Sequence, residues 1–360
     1  MKNNYLERIL TAQVYDVAIA SPLDHVVNLS ERIHNQVLLK REDLQQVFSF
    51  KLRGAYNKMI KLSPAVRNRG VIAASAGNHA QGVALAAKKL NCAATIVMPV
   101  TTPQIKVNAV MALGATVALH GDSYSDAYEY AVTLAKKEQA TFVHPYDDPD
   151  VIAGQGTVGL ELGALAPDVV IVPIGGGGLA SGIALALHSQ GVRIVGAQVD
   201  GVDAMAQVLA GKQTLSEPRA TLADGVRVKV PGEITRCVLR ELLDDVVVVR
   251  EAELRETLVR LALEEHVIAE GAGALALAAG RRVVGKRKCA VVSGGNIDAA
   301  LLAQLLCDVR TRAPRRPRRR VRSSAEDAIG KTLTLPQPAT TPTPASPSPE
   351  PVRSRSEACA

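Results

Sequence analysis

Between about residues 50 and 300, short apolar runs alternate with stretches whose apolar residues recur on a helical period. Residues 70–74, Gly70-Val71-Ile72-Ala73-Ala74, read as a strand. A turn follows. Then His79 to Lys89 reads as an alanine-rich helix, closed by Lys88 and Lys89 against its C-terminal dipole. The alternation continues, with strands expected over 94–99, 115–119, 169–173, 193–199, 245–249 and 289–292. Helices are expected over about 103–112, 124–138, 178–189, 251–265 and 272–280. Strands that are apolar throughout belong in a parallel sheet covered on both faces. There are too many such units for one sheet of ordinary size, so two parallel-sheet α/β domains are expected, with a cleft between them. A chain of 360 residues is long enough for both.

The pattern stops near Asp308. Residues 310–360 hold eleven Lys and Arg against four acidic residues, end in a Pro/Thr/Ser stretch and contain no aromatic residue. Such a segment cannot bury enough apolar surface to offset the entropy of ordering it, so a disordered tail is expected. It also carries the whole net charge of +7, because residues 1–309 balance at 31 basic against 31 acidic. The body therefore has no basic face for a polyanion. The tail reads as a solvated extension or as a basic arm for an acidic partner; with no rings on which to stack bases, nucleic acid is not the expected partner. No apolar run approaches the ~18 residues that span a bilayer, and the N-terminus lacks the apolar core of a signal peptide. The cysteines, Cys92, Cys237, Cys289, Cys307 and Cys359, form no CxxC pair. No metal site or disulfide framework is expected, and a cytoplasmic location fits.

Candidate chemistry enters at two turns, a lysine and a serine. Residues 168–173 feed a strand into Gly175-Gly176-Gly177-Gly178, and a helix starts near Leu179. Such a turn points several N–H groups at one place, at the positive end of a helix dipole, and lets a phosphate approach closely. The run Gly175 to Ala180 also fits GxGxxA, and Asp200 follows at the spacing expected of a ribose contact. On these residues alone an NAD-dependent oxidoreductase is a fair reading. It leaves unexplained Lys51, which reads as part of a small apolar loop, and the turn Ser75-Ala76-Gly77-Asn78-His79, whose N–H groups can bind an anion.

Four strings appear in order: Ser49-Phe50-Lys51-Leu52-Arg53-Gly54-Ala55, Ser75 to Gly82, Gly175 to Leu179, and Ser293-Gly294-Gly295-Asn296. With Leu39 to Asp43, Ala153 to Thr157, Ala223-Asp224-Gly225 and Glu270 to Ala274, the set resembles the threonine dehydratases among the fold-type-II pyridoxal phosphate enzymes. The resemblance runs from about Tyr5 to Asp308. It implies a tryptophan synthase β-like fold, with residues 1–309 as the catalytic region, a small α/β subdomain of about 54–150 inserted in a larger one, and the active site in the cleft. It further implies that Lys51 forms an imine with the cofactor and later serves as the base, that Phe50 lies against the cofactor ring, and that Asn78 bonds its 3′-oxygen. Gly175, Gly176, Gly177, Gly178 and Leu179 would cradle the phosphate, and Ser293 would face the ring nitrogen. Ser75, Gly77, Asn78 and His79 would hold the substrate carboxylate. The implied reaction is β-elimination of L-threonine to 2-oxobutanoate and ammonia in isoleucine biosynthesis, with L-serine as a second substrate, in a homo-dimer or tetramer. Serine racemase or serine dehydratase of the same fold is the alternative. Where biosynthetic members carry a regulatory domain, this sequence has the basic tail, so feedback control is not expected.

Overall fold

A computed structural model describes residues 2–312. They lie in one compact unit, Met1–Ala313. Its strands are, in chain order, β1 Leu23–His25, β2 Gln36–Arg41, β3 Val71–Ala74, β4 Ala94–Met98, β5 Thr116–Leu119, β6 Thr141–Phe142, β7 Val169–Pro173, β8 Arg193–Val199, β9 Asp245–Val249 and β10 Arg287–Val292. Six form a large sheet in the order β1-β2-β10-β7-β8-β9, and four form a smaller one in the order β5-β4-β3-β6. All pairs are parallel except β1 with β2. The smaller sheet arises wholly between β2 and β7, as an insertion in the larger one.

The two parallel sheets follow from composition. Every residue of β3 and β7 is buried, as expected of strands covered on both faces. Burial of a Val or Leu side chain contributes about 1.5–3 kcal/mol. Separate apolar clusters flank the large sheet and the small one.

Three strands lie outside the sequence-based expectations. β1 and β6 are only three and two residues long, too short for periodicity to register. β2 contains Lys40 and Arg41, yet Lys40 is buried because it pairs with Glu161 at 2.6 Å. Lys51 also departs from expectation. It is the first residue of helix Lys51–Ile60 rather than part of a loop. Gly54 inside that helix argues locally against helix. Tertiary packing overrides this: a Cβ on Gly154 would lie 2.6 Å from Arg53 O and 2.7 Å from Gly54 Cα. Backbones thus touch where helix Lys51–Ile60 crosses helix Pro149–Gly163. A buried ion network beside the crossing locks it: Arg53 meets Glu42 at 2.8 Å and Glu161 at 2.6 Å, with Arg53 and Glu42 fully buried. Finally, helix Ala299–Arg312 continues past residue 309, so residues 310–312 are helical and not part of an irregular tail. The rest of the expected tail lies outside the described residues.

Register brings the chemistry to one edge. Val292 of β10 pairs with Arg41 of β2, and Ala290 with Ile171 of β7. Ser293 and the tetraglycine turn therefore emerge side by side at the carboxyl ends of their strands, where open α/β folds present ligands. Ser75 leaves β3 in the same way, and His144 to Tyr146 follow β6.

Candidate active site

Lys51 is the centre. Its amine donates to Pro145 O at 2.7 Å and lies 5.3 Å from the centroid of the Phe50 ring. Burial pushes the amine down to about 8, against the pull of Glu270 in the other direction. A lysine in this range is a nucleophile at physiological pH. Phe50, half-buried, donates its N–H to Ser293 O at 3.2 Å, and Ser49 bridges to Gly294. Ser293 itself is 3% exposed. Lysine, phenylalanine and serine are thus assembled by main-chain bonds between the start of the helix and the end of β10.

The tetraglycine turn meets this group through one intervening segment. Pro145 O accepts from the Lys51 amine, and the next residue, Tyr146, lays its ring against Gly176, so that a Cβ there would collide with the ring. A Cβ on Gly178 would lie 3.0 Å from Tyr146 Cα, and one on Gly175 3.0 Å from Val226 Cα. Gly177 has φ +99, a left-handed conformation that favours glycine. Among the described residues no protein acceptor meets the N–H groups from Gly175 to Leu179, and helix Gly178–Leu187 has no side-chain cap. The turn is a cradle of unsatisfied donors at a helix N-terminus, closed to side chains. Its chemistry fits a phosphate group. The Leu179 side chain is not part of that cradle; it packs in the core.

Other residues hold the cradle. Thr235 Oγ1 donates to Gly176 O at 2.6 Å. Asp147 accepts from the N–H groups of Glu233, Ile234 and Thr235 at 2.9, 3.0 and 3.2 Å, capping helix Glu233–Leu242. His144 Nδ1 accepts from the N–H groups of Tyr146 and Asp147, and burial pushes this imidazole down to about 4. Tyr146 donates its hydroxyl to Val230 O at 3.0 Å.

The remaining turn joins the site through Asn78. Asn78 opens helix Asn78–Lys89; its Nδ2 donates to Glu270 Oε1 at 2.6 Å and its Oδ1 accepts from Asn296 at 2.7 Å. Ser75 Oγ accepts from Gly77 N at 3.2 Å, and a Cβ on Gly77 would meet no atom within 4 Å, so this glycine borders open space. His79 is turned inward instead: its Nε2 donates to Val143 O at 2.8 Å, its buried Nδ1 has no partner, and burial pushes it down to about 3. Asp200 stands apart just after β8, exposed and 3.9 Å from Arg219.

The profile of one family, described as pyridoxal-phosphate dependent enzyme, matches residues 15–294. The chain belongs to the pyridoxal-phosphate dependent enzymes. That membership overturns the NAD reading: the glycine spacing that suggested it is met, but in this family the cofactor is pyridoxal phosphate.

Relatives within the family narrow the comparison. A biosynthetic, chloroplastic threonine dehydratase 1 of Solanum lycopersicum is 47% identical over 321 residues, covering 85% of this chain and 53% of that protein. The L-threonine ammonia-lyase of Thermotoga maritima is 44% identical over 311 residues, covering 84% and 78%. The solved structure of a processed threonine deaminase isoform 2 from Solanum lycopersicum superposes with a TM-score of 0.81 at 41% identity, covering 84% of this chain and 92% of that one. The chain spans about half the length of several curated relatives that it matches.

The structure links Lys51, Phe50 and Ser293 by main-chain bonds, the tetraglycine turn to Lys51 through Pro145 and Tyr146, and Asn78 to the Ser293–Asn296 segment through Asn296. Sequence reasoning assigned no role to Tyr146, Thr235 or Asp147, and none to Glu270 or Asn296, although both stand in the strings that carried the resemblance. A buried-type string such as Glu270-Gly271-Ala272-Gly273-Ala274, with one carboxylate ahead of small apolar residues, is the signal that could have singled out Glu270.

Proposed function

We propose that the protein is a threonine dehydratase, which converts L-threonine to 2-oxobutanoate and ammonia and L-serine to pyruvate. The observation that carries this reading is the buried Lys51 amine, brought to about 8 and joined through Pro145 and Tyr146 to a glycine cradle of free N–H groups. The identities of 44–47% to proteins named for threonine support the substrate.

When bound, pyridoxal phosphate draws electrons from the amino acid's Cα–H bond into its ring. The residues of this chain do the rest. The Lys51 amine would hold the cofactor through its aldehyde, and the same amine, when free, would take the α-proton of the substrate. The N–H groups from Gly175 to Leu179 would hold the phosphate. Asn78 would offer its second Nδ2 hydrogen to the cofactor's 3′-oxygen. Ser293 would present a hydroxyl to the ring nitrogen, and a hydroxyl would not hold a proton there as a carboxylate would. The 75–79 turn, with Ser75 and the open face at Gly77, receives the substrate carboxylate. His79, turned inward, supports that turn. The unsaturated amine that leaves takes up water and loses ammonia, so that the oxo acid forms without net consumption of water. A cytoplasmic homo-dimer or tetramer at the first step of isoleucine biosynthesis completes the reading.

The test is incubation of purified protein and pyridoxal phosphate with L-threonine and, separately, L-serine. Oxo acid and ammonia in equal amounts, with threonine preferred by kcat/KM, are expected. D-Serine without oxo acid would identify a racemase and overturn the reading.

A further inference from the structure

Glu270 is a group that the reaction above does not use. It precedes helix Gly271–Ala279, is 6% exposed, and makes no side-chain cap to that helix. Its carboxyl turns to the helix Asn78–Lys89 instead, where Oε1 accepts from Asn78 Nδ2 at 2.6 Å. On the other side of the same amide, Asn296 Nδ2 donates to Asn78 Oδ1 at 2.7 Å and to Val47 O at 3.0 Å. Both ends of Asn78 are therefore held. Flipping the amide would set oxygen against carboxylate and NH₂ against NH₂, so one orientation survives. The partners come from different parts of the fold: Asn78 follows β3 of the small sheet, whereas Asn296 follows β10 of the large one and Glu270 precedes helix Gly271–Ala279, which leads to β10. The backbone is shaped for the contact. Glu270 N donates to Gly294 O at 3.1 Å, and a Cβ on Gly294 would collide with Glu270 Oε1 and lie 3.2 Å from Asn78 Nδ2.

We propose that Glu270 is a positioning residue for the cofactor: with Asn296 it fixes the Asn78 amide, so that the second N–H of Nδ2 is the one offered to the bound ring. The inference rests on the reading that Asn78 borders the cofactor. The charged groups facing Glu270 are Asp224, Lys106 and Lys51. Burial pushes its carboxyl up, to about 8, with Asp224 adding to the rise; the Asn78 hydrogen bond, Lys106 and Lys51 oppose it. The ionised and the neutral carboxyl both keep an oxygen that accepts from Asn78, so the clamp survives the proton while the charge beside Lys51 changes.

The experiment uses the full chain with Glu270→Ala, Glu270→Gln, Asn78→Ala and the double Asn78→Ala/Glu270→Ala. Pyridoxal phosphate affinity is read by ultrafiltration, and the pH midpoint of the bound cofactor's visible absorbance by titration. Glu270→Ala should weaken affinity about 2- to 10-fold, the range of a neutral hydrogen bond. The double variant should bind no more weakly than Asn78→Ala, because Glu270 acts through Asn78. Glu270→Gln, whose carbonyl accepts the same bond, should recover most of the affinity; because Glu270 ionises only near pH 8, a shift of its midpoint to lower pH reports the loss of that anion beside Lys51 and not of the clamp. Wild-type affinity in Glu270→Ala, or losses that multiply in the double variant, would overturn the proposal. So would a Glu270→Gln protein that binds the cofactor as weakly as Asn78→Ala, which decides the matter even where the alanine variant does not fold. Failure of the wild type to take up cofactor on Lys51 would instead sink the reading of the site.

Discussion

A single methyl group tests the cradle. Gly176 carries the Tyr146 ring on one side and gives its carbonyl to Thr235 on the other. Gly176→Ala must displace the ring or the turn, and overpacking of this kind costs about 1–3 kcal/mol. The expected outcome is a lower urea midpoint together with a higher Kd for pyridoxal phosphate; unchanged affinity would mean that the turn does not bind the phosphate. At this scale the sequence displays Lys51, Ser293, the tetraglycine and the 75–79 turn as motifs, because each is a local string. It does not display Thr235, Glu270 or Asn296 as their partners. Those bonds join residues 59, 192 and 218 positions apart, and no local pattern encodes them.

Among elements, helix Glu233–Leu242 is the one whose placement matters most to the cradle. Its first-turn N–H groups are capped by Asp147, and its Thr235 clamps Gly176. Asp147→Ala leaves those N–H groups without their acceptor, which typically costs about 0.5–2 kcal/mol. Because the clamp moves with the helix, the substitution should also weaken cofactor binding, whereas an ordinary surface cap would affect stability alone. Denaturant unfolding and cofactor titration of the same variant distinguish the two. Apart from β2, whose Gln36, Lys40 and Arg41 break the apolar run, the longer strands of both sheets were legible as continuous apolar runs, and most of the helices between them as alternating ones. The short strands β1 and β6 were not, since two or three residues carry no period. Helix Lys51–Ile60 was hidden because its Gly54, a poor helix former, is required by backbone contact with helix Pro149–Gly163.

For the molecule as a whole, two buried imidazoles set the acid limit. His79 is pushed down to about 3 and His144 to about 4, in both cases chiefly by burial. The unfolded chain takes up protons on these side chains near pH 6.5, whereas the folded chain does so only near 3 to 4. Their contribution is therefore present above about pH 6.5 and is lost as the pH falls. Glu270, raised to about 8, runs the other way: its contribution grows as the pH falls from 8, because the folded state holds a proton that the unfolded chain has released. Two imidazoles against one carboxyl leave a net loss below about pH 6.5. Cofactor-free protein should accordingly show a lower urea midpoint at pH 5.5 than at pH 7, and an equal or higher one would contradict the burial of both rings. The two-sheet architecture was readable because alternating apolar strands and helices outnumber what one sheet holds. The convergence of the two carboxyl edges on one cleft was supplied by resemblance, because sequence spacing carries no information on how two sheets face each other.

The central claim is that the Lys51 amine carries the cofactor. Borohydride reduction of the protein with pyridoxal phosphate, followed by peptide mapping, tests it most directly. One pyridoxyl group per chain on Lys51, absent from Lys51→Ala, is the predicted result; a pyridoxyl group on another lysine, or none, would contradict it.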